Sequence, residues 1–375
     1  MNSIKIATWN IENSHRLVSG DAATRPADVA RLDAITEEIA GIDADILMVC
    51  EGPSGEARAA TFFDRVAPGY RLIIRGSDTW RSYGLQGTQW IWFLIRKGAP
   101  ISGTLLHLDR WNALTAPAWG DQRSGDRWQV SYPIFDSDGS HLRFYVPGTH
   151  GHYRHPQVLQ ADIDLGSGKV QHLEIIGCHL KSKINRISPK GDPYSSDFFD
   201  NQPELVASIM TSRIKLTTES TDIRHYIEGR FLSEPDAAIV VVGDLNDGPG
   251  KERIERRFLY HDLVSNLQGD VFLARQFLNH ALFDFDGTAR WSYDLKKDRL
   301  DPARDPRILL DHVMFTQSLT GPNTPLTAAF RARSGGGKVE HQVHHRVGAG
   351  RPLSARTSDH LPVSMVFDRR TPATI

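Results

Sequence analysis

Residues 237–247 read AAIVVVGDLND, an apolar run of strand length at 237–243 that breaks into Asp244, Leu245, Asn246 and Asp247. A short uninterrupted run rich in β-branched residues describes a strand buried on both faces. Asp244 and Asn246 put a carboxylate and a carboxamide at the strand's end. The rest of the chain repeats this pattern. Residues 4–9 alternate as IKIATW and lead into Asn10 and Glu12. ADILMVCE at 44–51 is a buried strand ending on Glu51. The strand at 170–179 ends in His179-Leu180-Lys181, and GSGK at 166–169 makes it the second arm of a hairpin with 157–165. Residues 308–315 carry Asp311-His312, and the last strand, 361–367, is preceded by Ser358-Asp359-His360. Strand ends in α/β proteins line up along one sheet edge, where ligands bind.

Between these strands lie helical patterns. Residues 26–41 space Val29, Leu32, Ile35 and Ile39 along one face, with Pro26 at the start and Gly41 at the end. A long helix is expected over 203–230, with TTEST at 217–221 an unfavourable stretch inside it, and another over 252–264. Further strands are expected at 70–75, 89–96 and 142–146, and a late one over 307–316. Hairpins mixed with crossover helices indicate an α/β protein with mixed sheets. Stretches 109–127, 184–202 and 331–357 read as loop insertions, and none reads as an interdomain linker.

The chain has 375 residues, of which 40% are hydrophobic and 24% charged, and this excludes a disordered or collagen-like polymer. No apolar run approaches the roughly 20 residues of a spanning helix, so stable membrane insertion is not expected. Lys plus Arg number 44 against 45 Asp plus Glu, a net charge of −1. A polyanionic substrate must therefore be held by a local patch rather than by bulk charge. The two cysteines, Cys50 and Cys178, sit inside apolar runs; a disulfide framework is excluded, and a single bridge between them stays open. The start, MNSIKIATWN, does not read as a secretory signal, so a cytoplasmic location is expected.

Glu12, Glu51, Asp244, Asp311 and Asp359 supply five carboxylates in or beside these strands. Any one of them alone is readily a turn or helix cap. Brought to one edge, five carboxylates repel unless a cation is bound. Oxygen ligands with few nitrogens suit hard cations, which implies Mg²⁺ or Mn²⁺. Such a cation beside His and Asn suits phosphate-ester hydrolysis.

In order along the chain, TWNIEN, the Glu51 strand end, CHLKSK, VVGDLND, LLDHVMF and TSDHLPV resemble the endonuclease/exonuclease/phosphatase superfamily, the fold of deoxyribonuclease I and the apurinic endonucleases. Each motif is short; their combination over Asn10 to His360 is specific. The resemblance implies a four-layer sandwich of two mixed β-sheets flanked by helices. It implies one catalytic domain over 1–370, because the site needs both ends of the chain. It also implies residue roles. Glu51 matches the main metal-binding Glu, with Glu12 and Asp359 as further metal-side carboxylates, although Asn13 is an alternative to Glu12. Asn10 would orient carboxylates or a phosphate oxygen. Asp244 and Asn246 match the pair that positions the attacking water and the phosphate. His360 matches the catalytic histidine, with Asp311 accepting its ring N–H; whether His360 removes the water proton or stabilises the pentavalent phosphorane stays open. His179 would either protonate the leaving oxygen or hydrogen-bond a phosphoryl oxygen. Arg154, Lys181 and Lys183 would meet substrate phosphates. Tyr293 matches an aromatic of the family's late loop, against core packing as the ordinary reading.

The implied activity is a metal-dependent nuclease with nucleic acid as substrate. The alternative is a phosphodiesterase or phosphatase acting on lipid headgroups, inositol phosphates or small nucleotides. THGHYRH at 149–155 carries three histidines, read as loop histidines or a second metal site. Residues 331–356 are rich in Arg, Lys and His and are the expected basic patch. One or two tryptophans of 109–128 are candidates to stack on a base.

Overall fold

The sequence's apolar runs become the strands of two six-stranded mixed sheets. The computed structural model describes the chain except for 19–24, 78–79, 136–141, 146–147, 184–186, 251, 259–262, 322–327 and 371–375. The strands of the two sheets are β1 (Ser3–Asn10), β2 (Ile46–Gly52), β3 (Tyr70–Ile73), β4 (Trp90–Arg96), β5 (Ile101–Leu105), β6 (Gln157–Gly166), β7 (Lys169–His179), β8 (Ile239–Asp244), β9 (Asn279–His280), β10 (Asp311–Phe315), β11 (Phe330–Val339) and β12 (Val363–Arg369). The first sheet has the order β11-β12-β1-β2-β4-β3, and the second β9-β10-β8-β7-β6-β5. Each has one parallel pair at its centre, β1 with β2 and β7 with β8. These four strands carry the most continuous apolar runs, as strands buried on both faces must.

Helices α1 (Pro26–Ile42) and α2 (Glu56–Val66) pack Leu32, Ile35, Ile39, Phe62 and Phe63 into a core shared with the first sheet. Helices α3 (Leu108–Trp119), α4 (Pro203–Ser233), α5 (Arg253–Phe258) and α6 (Leu263–Gln268) follow in the chain. From α3, α4 and α6, Trp111, Ile223, Ile227 and Leu267 join Ile176, Ile239 and Val241 of the second sheet in another core. The result is the expected four-layer order, helices, sheet, sheet, helices. Two glycines let the sheets approach. A Cβ on Gly177 would lie 2.9 Å from the Phe93 ring and 3.0 Å from the Met48 side chain. Gly243 has φ of +139°, and a Cβ there would lie 2.8 Å from Met48 Cε of the first sheet and overlap the Cys178 carbonyl oxygen of its own sheet.

Several expectations are corrected. The TTEST stretch continues α4, because tertiary burial of Thr218, Glu219 and Ser220 overrides local propensity, and Thr218 and Thr221 return their hydroxyls to the carbonyls of Lys215 and Thr217. Of the stretch 109–127, residues up to Trp119 belong to α3, a helix whose pattern is obscured by Pro117 and closed by Gly120. Of 331–357, most is β11 and a further helix, α7 (His341–Gly348). The glycines there read as a loop, but they sit where the register of β11 shifts between Ala332 and Gly337, a bulge on an edge strand. The expected helix at 252–264 starts as α5 and its last residues begin α6, with 259–262 outside the described residues. The two cysteines face different cores; Cys50 Sγ contacts the Cys178 carbonyl oxygen at 3.3 Å, and both thiols are free. Among the described residues, no helix is long and apolar enough to cross a membrane.

Candidate active site

Parallel strands end where their antiparallel neighbours begin, so both sheets send polar residues to the same edge. β1 and β2 deliver Asn10 and Glu51, and β7 and β8 deliver His179 and Asp244. β10 begins with Asp311, paired in register with Asp244. The loop before β12 brings Asp359 and His360. Ser358, fully buried, ties this loop to β1: its hydroxyl donates to the Asn10 carbonyl at 2.6 Å and accepts from the His360 N–H at 3.0 Å. Trp9 Nε1 donates to the His360 carbonyl at 3.0 Å. Of the twelve residues the sequence singles out, all but Asp311 and Lys181 line one cleft of about 580 Å³.

His360 Nδ1 and Asp311 Oδ2 are 2.7 Å apart, and Ser292 Oγ donates to the same carboxylate oxygen at 2.7 Å. Burial alone would lower the His360 pKa. Asp311 and Asp244 overcome that and raise it to about 10. The ring therefore stays protonated near neutral pH. Burial pushes the Asp244 carboxyl up to about 7, with His360 pulling the other way. Asp244 accepts from Asn10 Nδ2 at 3.0 Å and, through its other oxygen, from the Asn246 N–H at 2.9 Å. Asn246 has φ of +53°, a conformation that Asn tolerates, and its amide donates to the Leu180 carbonyl at 3.0 Å. His179 Nε2 lies 3.6 Å from Asp244 and 4.0 Å from Glu51. Burial, then Arg154 and His360, hold its pKa well below the usual value, so its ring is neutral.

Glu51 has φ of +58° at a register irregularity between β2 and β4, a backbone strain of about 1–3 kcal/mol. Its Oε2 accepts from Gln89 Nε2 at 2.6 Å and from the Asn13 N–H at 2.8 Å. Its Oε1 has two long contacts, Asn10 Nδ2 at 3.5 Å and His179 Nε2 at 4.0 Å. Asn10 Oδ1 is buried with no hydrogen-bond partner among the described residues. An anionic oxygen with no short contact beside an unpartnered amide oxygen is a donor set that fits a hard divalent cation. The tightest cluster of ligand-type atoms is a different one, Asp244, Asp311 and His360, within 4.8 Å of one another. With His360 protonated against Asp311, that group is an ion-paired relay rather than a cation cage.

No family model matches the chain, and no curated protein matches it. Solved structures do. The chain is similar to truncated Caenorhabditis elegans TDP2 at 13% identity and a TM-score of 0.48, over 98% of this chain and 97% of that one. It is similar to an endonuclease/exonuclease/phosphatase family protein from Bacteroides thetaiotaomicron at 11% identity and a TM-score of 0.48, over 98% of each chain. D. rerio TDP2 complexed with single strand DNA product matches at 14% identity and a TM-score of 0.46, over 98% of this chain and 99% of that one. At these identities and scores, the site's own geometry has to carry the functional reading.

The remaining expected residues divide. Arg154 lines the cleft, donating to the carbonyls of His179 and Leu180 at 3.1 and 3.0 Å and to Gln89 Oε1 at 3.0 Å. Glu12 also lines it, but pairs with Arg356 at 2.8 Å. Asp359 lines it, its pKa raised by burial first. Tyr293 packs on the His360 ring at 4.8 Å between centroids, so it belongs to the site and not to the core. Lys183 is a correction: its side chain is 13% exposed and its ammonium is held by Asp247, by Glu255 at 2.7 Å and by Glu252 at 3.3 Å, which leaves it no free phosphate-binding role. Lys181 lies off the cleft, its N–H bound by Glu219 at 2.8 Å.

The basic stretch 331–356 is largely neutralised. Arg333 pairs with Asp368, Lys338 with Glu340, Arg351 with Glu37 and Arg356 with Glu12. Of the three histidines of 149–155, His150 is half-buried, while the side chains of His152 and His155 are buried and His152 contacts Asp222 at 3.1 Å. Trp111, Trp119 and Trp128 are buried as well, the first two donating to Asp222 at 2.8 Å, so they do not stack on a substrate. Sequence reasoning missed Gln89 and Ser292, which have no motif of their own. Ser358 was within reach, because a serine two residues before a site histidine is placed to cap the turn.

Proposed function

We propose that the protein is a divalent-metal-dependent phosphodiester hydrolase of the endonuclease/exonuclease/phosphatase type, with nucleic acid as its substrate and one catalytic domain over 1–370. One observation carries this reading: the buried His360–Asp311 pair faces Asp244 and Asn246 in the cleft that Glu51 and Asn10 also line. Glu51, with Asn10 beside it and Asp359 and Glu12 on the same wall, would hold Mg²⁺ or Mn²⁺. When bound, the cation polarises phosphoryl oxygens and stabilises the leaving oxygen.

The chain's own residues supply the rest. Asp244, with a pKa near 7, accepts the proton of the attacking water, close to the best match for a general base at neutral pH. Asn246, fixed by Leu180 and Asp244, orients that water and a phosphoryl oxygen. His360, held protonated by Asp311, cannot serve as the base near neutral pH; it donates to the phosphoryl oxygens as negative charge builds on them. His179, neutral and buried, donates a hydrogen bond to a phosphoryl oxygen and is a poor acid. Asp311 and Ser292 hold the tautomer and orientation of His360.

Nucleic acid is the inferred substrate because the cleft continues beyond the reacting centre, lined there by charged side chains of both signs, with Lys297 and Arg299 among them, and by apolar Ile187, Leu295 and Leu300. A cytoplasmic setting goes with this reading. The test is hydrolysis by purified protein with Mg²⁺, Mn²⁺ or EDTA. The panel is plasmid DNA, single-stranded DNA, structured RNA, sphingomyelin and an inositol polyphosphate. Metal-dependent strand cleavage is expected; release of headgroup or phosphate without strand cleavage would overturn the nucleic-acid assignment.

A further inference from the structure

The cations nearest the reacting centre are already committed. Arg154 is bound to two carbonyls and Gln89, and Lys183 to three carboxylates. Arg213 pairs with Glu252 and Glu255, and Arg253 donates to the carbonyls of Pro193 and Ser195. None of these is available to follow the phosphates that flank the bond being cut. With a net charge of −1, the molecule offers no general attraction to compensate.

One segment of the cleft wall differs. Residues 295–301 form a turn in which Lys297 and Arg299 are exposed, line the cleft, and make no side-chain hydrogen bond or ion pair among the described residues. The turn is anchored on both sides. Asp298 Oδ1 accepts from the N–H groups of Leu300 and Asp301 at 2.8 and 3.1 Å. Asp301 in turn accepts from the Arg253 N–H and from Arg256 Nη2, each at 3.2 Å. Leu295 N–H bonds to the Pro306 carbonyl at 3.0 Å, and Lys296 takes φ of +63° at the bend. One oxygen of the Asp298 carboxylate, between the two cations, is thus occupied in holding the turn. Ile187, Leu295 and Leu300 add apolar wall to the same cleft.

We infer that Lys297 and Arg299, displayed on this anchored turn, form a second anion subsite that binds a backbone phosphate flanking the scissile one, with the neighbouring apolar wall taking a sugar or base. The inference rests on the hydrolase reading and narrows it. The preferred substrate carries several phosphates in a strand, and a small diester with one phosphate gains nothing from the subsite. Paired cations on a fixed frame suit this task, because little side-chain freedom beyond the two cations is lost on binding.

The experiment compares wild-type protein with K297A/R299A on two substrates, bis(p-nitrophenyl) phosphate and a single-stranded decanucleotide. The diester should be cleaved with unchanged kcat/KM. KM for the decanucleotide should rise about tenfold, and its log–log salt slope should fall by about 0.7, the value for one neutralised phosphate on a single strand. K297Q/R299Q should behave the same way, which separates charge from folding. An unchanged KM and salt slope for the decanucleotide, or an equal loss on both substrates, would overturn the subsite. If the wild type cleaves neither substrate, the hydrolase reading fails by itself. The subsite is then judged by fluorescence anisotropy of a labelled decanucleotide: weaker binding by the double variant upholds it, and equal or absent binding by both proteins overturns it.

Discussion

Asn10 donates its side-chain amide to Asp244 across the gap between the two sheets, at 3.0 Å. The two residues are 234 positions apart, and each is the last residue of a central parallel strand. The bond lowers the Asp244 pKa against the larger effect of burial, which raises it. Asn10→Ala should therefore move the Asp244 pKa upward. A base must be ionised to work, so the acidic limb of the kcat/KM profile should shift to higher pH. A limb that stays in place while activity falls would mean that Asp244 is not the group titrating.

Gln89 joins Arg154 to Glu51 through its two amide atoms, at 3.0 and 2.6 Å. Gln89→Ala frees one oxygen of Glu51 and loosens its orientation. Changes of this kind to the support of a metal ligand typically cost about 10–100-fold in affinity. The Mg²⁺ concentration for half-maximal activity should rise by about tenfold, with kcat at saturating metal changed much less. Calorimetric titration of metal into the two proteins checks the same quantity without turnover.

Lys183→Met separates the corrected role of this residue from the expected one. Removing the ammonium leaves Asp247, Glu252 and Glu255 with fewer counter-charges in a mostly buried setting. Breaking a buried ion pair costs roughly 3–5 kcal/mol, so urea denaturation should show a loss of about 3 kcal/mol. Unchanged stability with a raised KM would return Lys183 to the phosphate-binding set.

Burial holds His155 neutral, with its pKa down to about 3, and His280 likewise lies well below the usual histidine range. The unfolded chain takes up these protons near pH 6.5. Below that pH the unfolded state binds more protons than the folded one, so stability falls as pH falls. Each histidine contributes about 1.4 kcal/mol per pH unit down to its folded pKa. Urea midpoints measured from pH 7.5 to 4.5 should decline below about 6.5; a flat profile would show that these rings are accessible in the folded state.

The legible part of the molecule was the part written along the chain. An apolar run bounded by a polar residue marks a strand terminus: strands finish at or beside Asn10, Glu51, His179 and Asp244, and Asp311 and His360 stand where two others begin. Partners distant in sequence were not legible. Lys183 reads as a free cation because Asp247, Glu252 and Glu255 are about 64–72 positions away. THGHYRH reads as a loop because its buried counter-charge, Asp222, sits on α4, 70 positions from His152. The basic stretch 331–356 reads as a patch because Asp368, Glu37 and Glu12 neutralise it from other elements. Conversely, Lys297 and Arg299 lie among acidic neighbours in sequence, and only the fold turns them toward the cleft.

The central claim is metal-dependent phosphodiester hydrolysis run by Asp244 and His360. It is tested most directly by incubating wild type, H360A and D244A with labelled single-stranded DNA, duplex DNA and RNA, in Mg²⁺ or in EDTA. Wild type should cleave at least one of these strands in Mg²⁺ and none in EDTA. Each variant should lose at least about 10²-fold in kcat, the scale of lost acid–base or electrostatic catalysis. Cleavage that persists in EDTA, or near-wild-type rates in either variant, would contradict the account.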